Sequence, residues 1–331
     1  MSIWLQFIGC VIVILVTGTN LSRYGDVIAE KTGLGRTFIG LVLLASATSL
    51  AELVTGISSV AYFDLPDIAA GDVLGSCMFN VLILAVLDVA NRSTPISARA
   101  HSGHVASAAL GALLLGLVGI SLVVGHEMPA LGWFGASSLV FVIVYLMSMN
   151  LVYRFEKRRL AEVPQEESPI LYANVTARRA IVLFAANAVV IVAAAAYMPH
   201  LADRIAEMTG LGRTFVGSLF VALSTSLPEV AVSIAAMRLG AVDMVYGNIF
   251  GSNLFNIAIL AVDDALYTKG PLLAYVSGNH LISVLAAMSM TAVAVVGLAY
   301  RATRKPLFLA WDAIGIAGMY VLATLVLYAR R

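Results

Sequence analysis

Polar and apolar positions alternate along this chain on a long scale. Apolar runs of helix-crossing length, roughly 20 residues each, are separated by short charged or Gly/Pro-rich breaks. Ten such runs can be placed, at about 3–21, 37–62, 67–90, 103–125, 130–153, 179–199, 214–238, 243–267, 272–300 and 306–329. Amphipathic stretches at 22–31 and 202–208 lead into the second and seventh runs. The pattern predicts an all-α polytopic membrane protein of ten transmembrane helices.

The long polar segment, 154–178, carries Pro164, Pro169 and clustered charge, and is too short for a folded domain. It divides the chain into five-helix halves, 1–153 and 179–331. Loops on the linker's side of the membrane carry 15 of the 20 Lys and Arg, so the positive-inside rule makes the linker cytoplasmic and puts both termini outside.

The halves share a sentence. Residues 32–52 read TGLGRTFIGLVLLASATSLAE and residues 209–229 read TGLGRTFVGSLFVALSTSLPE, with thirteen of twenty-one positions identical at an offset of 177. A second motif follows each, GDVLGSCMFN at 71–80 and GNIFGSNLFN at 247–256. The repeats therefore span 32–90 and 209–267. With five spans per half, the second copy enters the membrane from the opposite side, giving inverted-topology repeats and a site near the midplane where the copies meet.

Ala45, Thr48, Ser49 and Glu52 stand at i, i+3, i+4 and i+7, on one helical face, as do Ala222, Thr225, Ser226 and Glu229. A carboxylate inside an apolar run costs several kcal/mol unless it meets a cation, a partner or water. Pro228 disturbs the carbonyl of Ser224 and frees oxygens near Thr225. In the second motif Ser76 and Asn80 share a face, as do Ser252 and Asn256, while Gly71, Gly75, Gly247 and Gly251 allow close helix approach. Carboxylates, hydroxyls and carbonyls make a hard, all-oxygen set suited to Ca2+ or Na+.

These doubled motifs resemble the α-repeats of the cation/Ca2+ exchanger superfamily, and most of all those of ten-helix prokaryotic Na+/Ca2+ exchangers. The resemblance implies an antiporter that holds Ca2+ with Glu52, Glu229 and the Thr48 and Thr225 carbonyls. It implies Na+ ligands at Ser49, Ser226, Ser76, Ser252, the Ala45 and Ala222 carbonyls and the same glutamates. Asn80 and Asn256 match the family's central polar pair. Three departures stand out. Ala51 occupies a usual proline position, Asn256 replaces an aspartate found in some members, and Asp72 replaces the asparagine kept as Asn248. Two glutamates balance one Ca2+ or two monovalent ions, and a third Na+ needs Asp72. A proton-coupled exchanger with the same site is the alternative, since a buried glutamate can trade a proton for metal.

Composition agrees. Sixty per cent of residues are hydrophobic and 12% charged, with a mean hydropathy of +0.94. Twenty basic against 19 acidic residues give no footprint for nucleic acid. The expected partners are small cations and the lipid of a bacterial or archaeal cytoplasmic membrane, with no cofactor and no obligatory protein partner. Cys10 and Cys77 lie in apolar runs and suggest neither a disulfide framework nor a metal cluster. An intramembrane serine hydrolase is disfavoured, because neither motif holds a His or Lys to activate the serine. The five histidines read as solvated groups near span ends, Asp64 and Asp67 as loop charges, and Asp263, Asp264 and Asp312 as boundary or capping charges.

Overall fold

The computed structural model describes residues 2–32, 48–91, 94–127, 129–162, 175–238, 240–302, 304–305 and 309–330. The chain is almost wholly helical: α1 Ile3–Thr32, α2 Leu50–Ala61, α3 Pro66–Ala90, α4 His104–Val124, α5 Ala136–Glu162, α6 Ala177–Thr209, α7 Arg213–Thr225, α8 Leu227–Arg238, α9 Val242–Leu266, α10 His280–Tyr300 and α11 Trp311–Ala329. Among the described residues, eight helices are long and apolar enough to cross a bilayer, and α7 with α8 forms a ninth span bent by 44°. The tenth expected span is described only in part. Its second half is the short apolar helix α2, while 33–47, with Gly33, Arg36 and Ala45, lie outside the described residues.

Four boundaries differ from expectation for local reasons. Helices α1 and α6 absorb the amphipathic stretches and run on to Thr32 and Thr209, α6 ending at Gly210 in the left-handed region (φ 67°). Helix α5 starts at Ala136 because Ala130–Leu131 pairs with Phe134–Gly135 in a small antiparallel hairpin, turned at Gly132 (φ 70°). This is the departure from an all-helical chain. Helix α10 starts at His280, after Pro271 and the single 3-10 turn Leu272–Ala274.

Helices α3 and α9 lie at the centre and are the most completely covered spans. A large apolar cluster joins them to α4, α10 and α11. A second cluster is built mainly from α1 and α6, which pack along each other and against α2. Leu5, Ile8, Ile12 and Val16 leave an exposed apolar stripe on α1, the face expected to meet lipid.

The inverted repeat is written into the helix ends. Asp67 Oδ1 accepts from the Ser277 amide (2.7 Å) and meets His280 Nε2 (3.0 Å). At positions 176 higher or lower, Asp243 Oδ1 accepts from the His101 amide (2.7 Å) and meets His104 Nε2 (3.1 Å). His104 and His280 are thus buried clamps between helix starts, not the solvated groups expected, and Asp67 is more than a loop charge. Asp88 and Asp264 form another such pair. Asp264 takes the amides of Leu272 (2.6 Å) and Gly135 (2.8 Å), a capping role as expected. Asp88 takes those of Ile96 (3.0 Å) and Ala310 (2.8 Å), and also Lys305 Nζ at 2.9 Å.

The Lys305–Asp88 pair is almost fully buried, so removing the cation strands the acid. Lys305→Met is expected to cost about 3 kcal/mol. A drop in the apparent Tm of the solubilised protein checks this, and an unchanged Tm would contradict it.

Candidate functional site

The site is built at the start of α2 and at the bend between α7 and α8. Between α7 and α8 the chain passes through Ser226 at φ −87°, ψ 7°. Immediately before α2 it passes through Ser49 at φ −83°, ψ 13°. Both values fall in the sparsely occupied bridge region. The two conformations match although Pro228 stands two residues after Ser226 and Ala51 two residues after Ser49, so this geometry does not depend on proline. Across the bend between α7 and α8 the Ser226 amide still bonds the Ala222 carbonyl (3.1 Å) and the Val230 amide the Ser226 carbonyl (3.3 Å).

Glu52 and Glu229 are fully buried and are held by serines of opposite halves. Ser49 Oγ donates to Glu229 Oε1 (3.2 Å), and Ser226 Oγ lies 3.0 Å from Glu52 Oε1. Ser226 also meets Ser76 Oγ (2.9 Å), and Ser252 Oγ reaches Glu229 Oε1 at 3.5 Å. The Thr48 hydroxyl reaches Glu229 as well. Ser76 Oγ points at the Ala222 carbonyl (3.5 Å). Thr225 Oγ1 donates to Asp72 Oδ1 (2.7 Å), which brings the acid of α3 to the end of α7. The second oxygens of Glu52, Glu229 and Asp72 are buried without a partner among the described residues.

The glycines of α3 explain how the centre closes. A Cβ at Gly71 would meet Gly217 Cα at 3.0 Å, and one at Gly75 would meet Ser218 O at 2.3 Å and Ala222 Cβ at 2.7 Å. Helix α3 therefore lies directly on the π-helical turn Gly217–Val221 of α7. That turn widens the helix just before Ala222.

The asparagines depart from the expected pairing. Asn80 Nδ2 donates to Asn253 Oδ1 (3.0 Å), and Asn253 Nδ2 to the Cys77 carbonyl (3.1 Å), so Asn253 and not Asn256 bridges α3 to α9. Both side-chain polar atoms of Asn256 are buried and unpartnered among the described residues. Asn248, the counterpart of Asp72, turns to Ser233 Oγ (3.3 Å). Asn253 was not anticipated because its counterpart, Cys77, signals nothing polar.

Chemically this is a buried ring of oxygens with two acids at its centre, a third close by, and unsatisfied acceptor atoms. Among the described residues no three His, Cys, Asp or Glu come close enough to chelate a resident metal.

Comparison with known proteins bears on the family of the chain. The model of the family described as sodium/calcium exchanger protein matches residues 2–154 and 179–329. The inner membrane protein YrbG of Escherichia coli is 26% identical over 270 residues, 78% of each chain. A structure of the sodium-calcium exchanger NCX_Mj soaked with Na+ and Sr2+ superposes with a TM-score of 0.63 at 20% identity, covering 98% of this chain and 99% of that one. The H+/Ca2+ exchanger CAX superposes with a TM-score of 0.73 at 13% identity, covering 100% and 85%. With the family model covering both halves, this chain belongs to the sodium/calcium exchanger protein family and is an integral membrane antiporter, not an enzyme.

Proposed function

We propose that the protein exchanges Ca2+ for Na+ by alternating access at the all-oxygen site centred on Glu52 and Glu229. The observation that carries this reading is the crossed pairing, Ser49 on Glu229 and Ser226 on Glu52, with one oxygen of each acid left unpartnered. Two carboxylates balance Ca2+, or two Na+ in its place, so the ions compete for shared oxygens. Thr48, Thr225, Ser76, Ser252, Asn80, Asn256 and the Ala45 and Ala222 carbonyls complete the proposed ligand set. The separate apolar cluster of α1 and α6 supports these two helices as the group that shifts against the rest. Each five-helix half supplies one acid, and the linker joins them on the cytoplasmic side.

Proton coupling is the second reading. It is favoured by the likeness to the H+/Ca2+ exchanger CAX and by three buried acids without a basic partner among the described residues. Proteoliposomes loaded with Na+ and diluted into Ca2+ medium decide between them. Ca2+ uptake is expected on Na+ dilution and not from a pH gradient alone; uptake driven by pH alone transfers the coupling to H+.

Asp72 sets the charge available for a third ion. Asp72→Asn restores the symmetry with Asn248 and is expected to make the Na+ dependence of Ca2+ uptake less steep, by about one charge equivalent. An unaltered Na+ dependence would remove Asp72 from the ion count.

A further inference from the structure

Asp263, in the last turn of α9, is a buried acid that the central site does not use. Its side chain is fully covered, and neither carboxylate oxygen has a partner among the described residues. Its neighbour Asp264 takes two backbone amides, so capping accounts for 264 and leaves 263 unexplained.

Its position is specific. Ser252, Asn256 and Asp263 fall on one face of α9, since residues four and eleven apart align on a helix. Asp263 lies about 10 Å further along that face than Asn256. It is displaced towards the end of the bundle where Asp64, Asp67 and Lys269 gather. Opposite it, Glu52 and Gly56 share a face of α2 at i and i+4. The Asp263 carboxylate rests on Gly56, where a Cβ would meet Oδ2 at 2.5 Å and Oδ1 at 2.6 Å. Ser59, one turn further along α2, is also fully buried and donates its proton to the Thr55 carbonyl (2.7 Å), which leaves its lone pairs open.

Packing alone does not call for an acid here. In the first half the matching position, 87 for 263 at the offset of 176, is Leu87, buried among apolar groups. The same scaffold thus accepts a hydrocarbon, at none of the cost that a carboxylate brings.

We propose that Asp263 holds a monovalent cation at a second site, a station between the Asp64/Asp67 end of the bundle and the Glu52/Glu229 centre. One carboxylate balances one unit charge, whereas a divalent ion there would leave an uncompensated charge in apolar surroundings. The lack of a side chain at 56 is what lets the carboxylate lie against α2, one turn from Glu52.

Thallous ion tests this, because it stands in for Na+ or K+ and scatters anomalously. Crystals of the full chain soaked in a Tl+ salt are expected to show anomalous density beside Asp263 as well as at the centre. In Asp263→Asn the outer density should vanish while the central density stays. No density beside Asp263 in the wild-type protein overturns the proposal, whether or not the variant folds. Density beside Asp263 with none at the centre would instead sink the Glu52/Glu229 assignment and leave this one standing.

Discussion

Glu52→Gln or Glu229→Gln is expected to abolish Na+-driven Ca2+ uptake while leaving the folded protein at least as stable. Each change removes one of the two charges that face the ion. Losing one partner of a buried charge pair costs about 3–5 kcal/mol, which is roughly a hundredfold or more in Kd. Stability should move the other way. Each acid has an unpartnered oxygen, and a neutral amide lowers the cost of burial in the absence of ion. Calcium titration together with an apparent Tm in ion-free buffer separates the two effects. Unchanged transport in both variants would dispose of the site, and a collapsed Tm would mean that the acids hold the fold instead.

The second large effect is steric. Gly75→Val places a branched side chain where even a Cβ would lie 2.3 Å from the Ser218 carbonyl oxygen and 2.6 Å from Ser218 Cα. Those are backbone atoms and cannot rotate aside, so α3 must lift off α7. Overpacking of this kind costs about 1–3 kcal/mol or more. The displacement carries Ser76 away from the Ala222 carbonyl and from Ser226, 3.5 Å and 2.9 Å distant. Both the apparent Tm and Ca2+ uptake should fall, and Gly71→Ala, with its nearest contact at 3.0 Å, should be milder. A Gly75→Val protein with full uptake would show that α3 and α7 need not touch for exchange.

The parts of the molecule written twice were legible before any coordinates. Ser49, Glu52, Ser226 and Glu229 stood out because an acid in an apolar run recurs at a fixed offset, and the structure brings all four together. Two features present in one half only have no such signal. Asn253 faces Cys77 in the alignment and Asp263 faces Leu87, so repetition gives no hint of either. The conformation at Ser49 could not be read from Ala51, because the backbone geometry it shares with Ser226 does not depend on a proline. The hairpin before α5 lies inside an apolar run, interrupted only by the small residues Gly132 and Gly135. The Asp67–His280 and Asp243–His104 clamps join residues more than a hundred positions apart, yet the 176 offset relating them was visible and could have exposed them.

The exchange of serines between the two acids makes the halves obligate complements. Either half alone would carry an intramembrane glutamate deprived of the serine that the other half supplies, and neither could assemble the ring of oxygens. Substitution at Ser49 is therefore felt at Glu229, and substitution at Ser226 at Glu52, so these four positions must vary as a set. The freedom to differ between halves, as at 72 and 248 or 87 and 263, is where a symmetric scaffold can acquire a direction.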